Sequence, residues 1–166
     1  IRLLDDRDPL QALTVEGIAP SDEAGSSPST WDGVDCALYE GGGNAKEADR
    51  ILLEQLKYSA ANPRSSWTVA RMVSGDKRED SVLNRLAKAW AGIQALEPKG
   101  TVEVSLVTNQ PIAAELKTVT AKLATGSVSA PRKRPGKDEP DERKMAFAAG
   151  LSKSVLPEFA KAIRFN

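Results

Sequence analysis

Asp35, Gln55 and Lys57 are the residues of this chain whose types and spacing could do chemistry. Gln55 and Lys57 stand two apart in the segment Ile51 to Ser59, ILLEQLKYS, which otherwise reads as a buried strand. Side chains alternate across a strand, so Ile51, Leu53, Gln55 and Lys57 share one face, and Leu52, Glu54, Leu56 and Tyr58 share the other. The amide and the ammonium therefore lie about 7 Å apart on one side. Placed on the inner part of a sheet they need partners, because an unpaired buried charge costs several kcal/mol. Asp35, at the start of the neighbouring strand, is the natural partner. On spacing alone two readings stand: a structural ion pair with an adjacent amide in a half-exposed sheet, or the polar centre of an active site.

Composition narrows what such a site can do. The chain has 166 residues, enough for one domain with a real core, with 40% apolar and 28% charged residues. There is no histidine, which excludes Ser-His-Asp and Cys-His catalysis and most zinc sites. The single cysteine, Cys36, excludes an intrachain disulfide and suggests a reducing, cytoplasmic setting. Basic and acidic residues number 23 each, so net charge gives no sign of a nucleic-acid or membrane partner, although a local basic patch remains compatible. No apolar run approaches the roughly 18 residues of a membrane span. The sequence opens on Ile1 rather than methionine and reads as a piece of a longer polypeptide.

The elements that must position the three residues follow from periodicity. IRLLDD at 1–6 reads as the tail of a helix. Strands are expected at 12–18, 34–40 and 51–58, the last two joined by the turn GGGN at 41–44, which together form a meander. Residues 19–31 form a Pro/Ser/Gly-rich loop. Val82, Leu86, Ala89, Trp90, Ile93 and Leu96 recur at helical spacing, predicting a helix over 79–96 that Pro98 and Gly100 stop. A fourth strand is expected at 101–109, then a helix opened by Pro111 with Ile112, Leu116, Val119 and Leu123 on one face. Residues 125–142 carry three prolines and mixed charge and read as a mobile loop. Helices are expected at 143–152 and 155–163. The order β-β-β-α-β-α gives an α/β sandwich with a mixed central sheet, unlike a doubly wound fold.

An aspartate at a strand start, a hairpin and then a strand bearing (D/E/Q)-x-K resembles the core of the PD-(D/E)xK nuclease superfamily. Asp35 with Gln55-Leu56-Lys57 is similar to its glutamine-containing, Mrr-like branch. TVEG at 14–17, GVDCALYE at 33–40, LEQLKYS at 53–59, SWTVARM at 66–72, LVTNQP at 106–111 and LPEFAKAIRF at 156–165 resemble one group within it. That group is the N-terminal double-stranded-DNA endonuclease domain of CD-NTase-associated (CBASS-type) anti-phage effectors. The resemblance implies a restriction-endonuclease-like sheet flanked by helices. It implies magnesium or manganese as cofactor, with Asp35 as main ligand, the Gln55 side-chain carbonyl and the Leu56 main-chain carbonyl beside it, and Glu16 as a further acid. It implies that Lys57 orients or helps deprotonate the attacking water and stabilises the phosphate. It also implies double-stranded DNA as substrate, cut with little sequence specificity, and homo-oligomerisation through a downstream sensor module. Gln55 in place of an acid leaves the site one negative charge short, which weakens metal binding.

The remaining polar residues divide. Arg64, Arg71, Lys77 and Arg78 follow the third strand and are placed for a DNA backbone. RKRPGK at 132–137 is better read as a solvated loop that the following DEPDE neutralises. Glu54 points away from Lys57, Asp32 reads as a turn residue beside Gly33, and Cys36 as a small core residue. Trp67 and Trp90 read as core, with Trp67 bracing the strand of Lys57. Two rivals to the nuclease remain: a catalytically silent nuclease-like scaffold or DNA-docking module, and an unrelated α/β adaptor that binds protein through the 125–142 loop.

Overall fold

The computed structural model describes residues 9–23, 27–129 and 131–166, and the helix expected at 1–6 lies outside them. In chain order the regular elements are β1 (Leu10–Val15), α1 (Pro20–Glu23), β2 (Cys36–Glu40), β3 (Arg50–Lys57), α2 (Val69–Met72), α3 (Val82–Ala95), β4 (Thr101–Thr108), α4 (Ala114–Ala124), α5 (Asp141–Ala149), α6 (Leu156–Ala162) and β5 (Ile163–Phe165). Single 3₁₀ turns lie at Pro28–Thr30 and Arg78–Asp80.

The strands form one five-stranded mixed sheet in the order β1-β2-β3-β4-β5. The first three are the expected antiparallel meander, whereas β3/β4 and β4/β5 are parallel. Parallel neighbours need a crossover, and α3 supplies the first. The register pairs Ala37 with Leu53, Leu53 with Val104 and Gln55 with Leu106. One face therefore carries Ala37, Tyr39, Ile51, Leu53, Val102, Val104 and Leu106, all buried. Against it packs α3, burying Leu83, Leu86, Trp90 and Ile93. The opposite face is only partly covered: Leu13 and Leu56 are exposed, and Leu38, Leu52 and Glu54 half-buried.

Several boundaries differ from expectation, each for a local reason. β1 ends at Val15 rather than 18 because Glu16 (φ 58°) and Gly17 (φ 137°) turn the backbone into the left-handed region. The helix expected at 79–96 starts at Val82, where the Ser81 hydroxyl accepts from the Asn84 amide as an N-cap. Pro111 does not open α4. Its carbonyl instead accepts from Trp67 N, and Ile112 bridges to Trp67, so the helix begins at Ala114. The irregular segment after α4 ends at 140, since α5 begins at Asp141, and Gly150 (φ 71°) closes that helix. α6 ends at Ala162, and Ile163–Phe165 adds an unexpected fifth strand beside β4.

Candidate active site

Cys36 faces Glu54 in the β2/β3 register, so one step further along the ladder sets Asp35 beside Gln55. Backbone pairing does continue there, because Asp35 N donates to Glu54 O at 2.8 Å. The Asp35 side chain then takes the place of the next main-chain acceptor: its Oδ2 accepts from Leu56 N at 2.7 Å. The carboxylate is thus fixed by the peptide between Gln55 and Lys57. Gln55 is 1% exposed, and its Oε1 has no hydrogen-bond partner among the described residues. Leaving a buried carbonyl unpaired costs about 1–3 kcal/mol. Lys57, the last residue of β3, is half-buried and its side chain makes no hydrogen bond or ion pair among the described residues. The structural ion pair between Asp35 and Lys57 is therefore not formed. Leu56 enters the site through its N–H, while its side chain, 46% exposed, belongs to the other face.

Glu16 joins this arrangement through the backbone. Its N–H donates to Asp35 O at 2.8 Å, and the two residues line one cavity of about 480 Å³ with Glu23 and Asp32. Among the described residues no group of three or more Asp, Glu, Cys or His side chains stands where it could hold a metal ion. A cation at this site would rest on the Asp35 carboxylate and the unpartnered Gln55 carbonyl, with water completing its shell. That all-oxygen, water-rich donor set suits magnesium or manganese better than zinc.

The ends of β3 and β4 are tied by Trp67, expected to brace the strand of Lys57, together with Asn109 and Gln110, to which the sequence reading gave no role. The Trp67 indole donates to Thr108 Oγ1 at 3.1 Å, and Thr108 is the register partner of Lys57. Asn109 extends the ladder with its side chain, accepting from Ser59 N and donating to Ser59 O, both at 3.0 Å. Gln110, buried, accepts from Arg71 Nη2 at 2.9 Å and donates to Asn62 O. Arg71 also donates to the carbonyls of Ser65 and Ser66 and lies 4.1 Å over the Trp67 ring. Besides Trp67, the polar run Thr108-Asn109-Gln110 before Pro111 is the sequence signal of this brace.

The other expected residues fall as follows. Arg71 is committed to the brace and is not free to contact a backbone phosphate, whereas Arg64 is exposed on the loop after β3. Lys77 and Arg78, also exposed, open onto a separate cavity with Arg134, Lys137 and Lys144. Four of the six residues of RKRPGK, Arg134 to Lys137, therefore border this cavity, while the loop's basic side chains remain solvent-exposed as expected. Asp32 is exposed in a turn beside Gly33, as expected. Cys36 is half-buried on the less covered face rather than in the core, and burial together with Glu54 and Asp35 pushes its thiol above the ordinary value, so it is not a poised nucleophile. Glu54 is half-buried on the face away from Gln55, and burial raises its carboxyl although Arg50 opposes this. Trp67 and Trp90 are buried as expected. No protein-family model matches the chain, and no curated protein matches it.

Proposed function

We propose that the chain is a metal-dependent endonuclease domain that cleaves double-stranded DNA with little sequence specificity. The observation that carries this reading is the Gln55 carboxamide. It is buried, its oxygen has no partner among the described residues, and it sits beside an anchored aspartate and two residues from a lysine on the same face that makes no ion pair among them. A purely structural ion pair would leave neither the lysine nor the carbonyl without a partner. In the proposed site Asp35 and Gln55 hold magnesium or manganese by oxygen, with Glu16, which lines one cavity with Asp35, as the further acid. When bound, the cation neutralises charge at the scissile phosphate and lowers the pKa of a water. Lys57 supplies a positive donor to a phosphoryl oxygen and orients the attacking water. The Leu56 amide, donating to its Oδ2, holds the Asp35 carboxylate in place.

The restriction-endonuclease-like sheet, the anti-phage effector role, the cytoplasmic setting and self-association through a downstream module belong to the same reading. They rest on the motif resemblance and on the five-stranded mixed sheet with a β-β-β-α-β core. Plasmid digestion tests it. The wild-type protein with magnesium is expected to nick and linearise plasmid, chelator to stop it, and Lys57→Ala to slow it by about 10²–10³-fold. One observation favours a second reading, a catalytically silent DNA-docking module: among the described residues no group of three or more Asp, Glu, Cys or His side chains stands where it could hold a metal ion. Salt-sensitive binding without cleavage, equal in wild type and Lys57→Ala and indifferent to magnesium, would select it.

A further inference from the structure

Lys77, Arg78, Arg134, Lys137 and Lys144 line one cavity of about 290 Å³, and among the described residues no carboxylate shares its wall. The chain as a whole is neutral, so this concentration of positive charge is local. Three separate segments converge to make it: the 3₁₀ turn before α3, the loop at 134–137, and the first two turns of α5. Lys144 is bonded to Asp141 at 3.1 Å, but the other four cations make no ion pair among the described residues. Arg78 is held on the wall by the Phe147 ring, 5.6 Å from its guanidinium carbon. Like charges gathered at one concavity repel, and an anion relieves that repulsion while gaining several charge-assisted hydrogen bonds. The rest of the wall is apolar, formed by Val73, Pro135, Phe147 and Ala148. A ligand that satisfies both parts carries phosphate next to a flat or apolar group. The volume lies at the small end of ligand pockets, roughly 300–1,000 Å³, which admits one phosphate-bearing unit and not a duplex.

We propose that this pocket binds a phosphorylated ligand, the chemistry shared by a free nucleoside phosphate and the phosphate-bearing end of a nucleic acid. It is distinct from the Asp35 site and does not depend on it. The two do lie at one end of the sheet: α3 returns the chain from the end of β3 at Lys57 to the start of β4, which pairs with Arg50. Lys77 and Arg78, just before α3, therefore stand at the end that carries Gln55 and Lys57.

Calorimetric titration with pyrophosphate and with ADP tests the pocket. Saturable binding of both is expected, weakened at least tenfold in the double variant Arg134→Gln, Lys137→Gln and unchanged in Lys57→Ala. Both loop residues are exposed, so the double variant is expected to melt like wild type, and a matching melting curve checks this. A short 5′-phosphorylated DNA duplex then separates the two sources. Displacement of ADP by it assigns the pocket to nucleic-acid ends, and failure to displace assigns it to a free nucleotide. Absence of saturable binding by either small ligand, or binding by the double variant equal to wild type, overturns the proposal.

Discussion

Replacing Gln55 by leucine removes a buried carbonyl oxygen that has no partner among the described residues and leaves a side chain of similar volume against Leu106 and Leu53. Unsatisfied polar groups in a core cost about 1–3 kcal/mol, and apolar replacements of like shape are neutral or stabilising. Gln55→Leu is therefore expected to melt at or above the wild-type temperature while losing magnesium-dependent cleavage, read by calorimetric melting and plasmid digestion together. A fall in stability of more than about 1 kcal/mol would mean that the carboxamide is structural. Asp35→Asn complements it: a carboxamide oxygen can still accept from Leu56 N, so the fold should survive while the metal dependence is lost. This part of the site was legible because strand alternation alone puts Gln55 and Lys57 on one face, and the β2/β3 hairpin brings Asp35 alongside. The free state of Lys57 was not legible, since whether two charges of opposite sign meet depends on distances that spacing does not set.

At the level of elements, the junction after β3 depends on side chains from three separate segments. Arg71 on α2 reaches the carbonyls of Ser65 and Ser66 and Gln110 beyond β4, and Gln110 in turn holds Asn62. Hydrogen bonds to a charged group contribute about 1.5–3 kcal/mol in such settings. Arg71→Ala is expected to lower stability by about that much and to leave the salt dependence of DNA binding unchanged. A residue contacting a phosphate would instead reduce the slope of log K against log salt by about 1 with little effect on melting. Salt-titrated binding and a melting curve on the one variant separate the two. The strands and α3 were readable from periodicity because each runs long enough to show it. β5 was not: Ile163-Arg164-Phe165 is three residues, continuous with a helical pattern, and becomes a strand only because β4 offers an unpaired edge. Glu16 ended β1 early through a backbone angle, which hydrophobic pattern does not report. The Trp67 part of the brace was anticipated, but the Asn109 part escaped for a related reason, as Asn109 and Ser59 are distant in sequence and meet only once β3 and β4 are parallel neighbours.

Across the whole sheet, one ion-pair network joins four strands on the less covered face. Arg50 of β3 bonds Glu40 of β2 and Glu103 of β4, and Arg164 of β5 donates to Glu103 at 2.6 Å. Burial alone would raise the Glu103 carboxyl, but the hydrogen bonds and charges of Arg50 and Arg164 outweigh it and hold the group below its ordinary value of 4.5. Between the folded and unfolded values the unfolded chain binds more protons, so stability rises with pH there. The contribution of Glu103 is thus complete above pH 4.5 and disappears as pH falls through the lower folded value. Glu54, on the same face, has the opposite sign. Burial raises it despite Arg50, the folded state binds more protons, and stability falls as pH climbs above 4.5 through its folded value. Denaturant midpoints measured from pH 3 to 7 are expected to separate the two groups. Glu103→Gln should flatten the acid limb below pH 4.5, and Glu54→Gln should remove the decline above it. The double variant should show both changes added if the groups act independently, and a shortfall would measure their coupling through the shared Arg50.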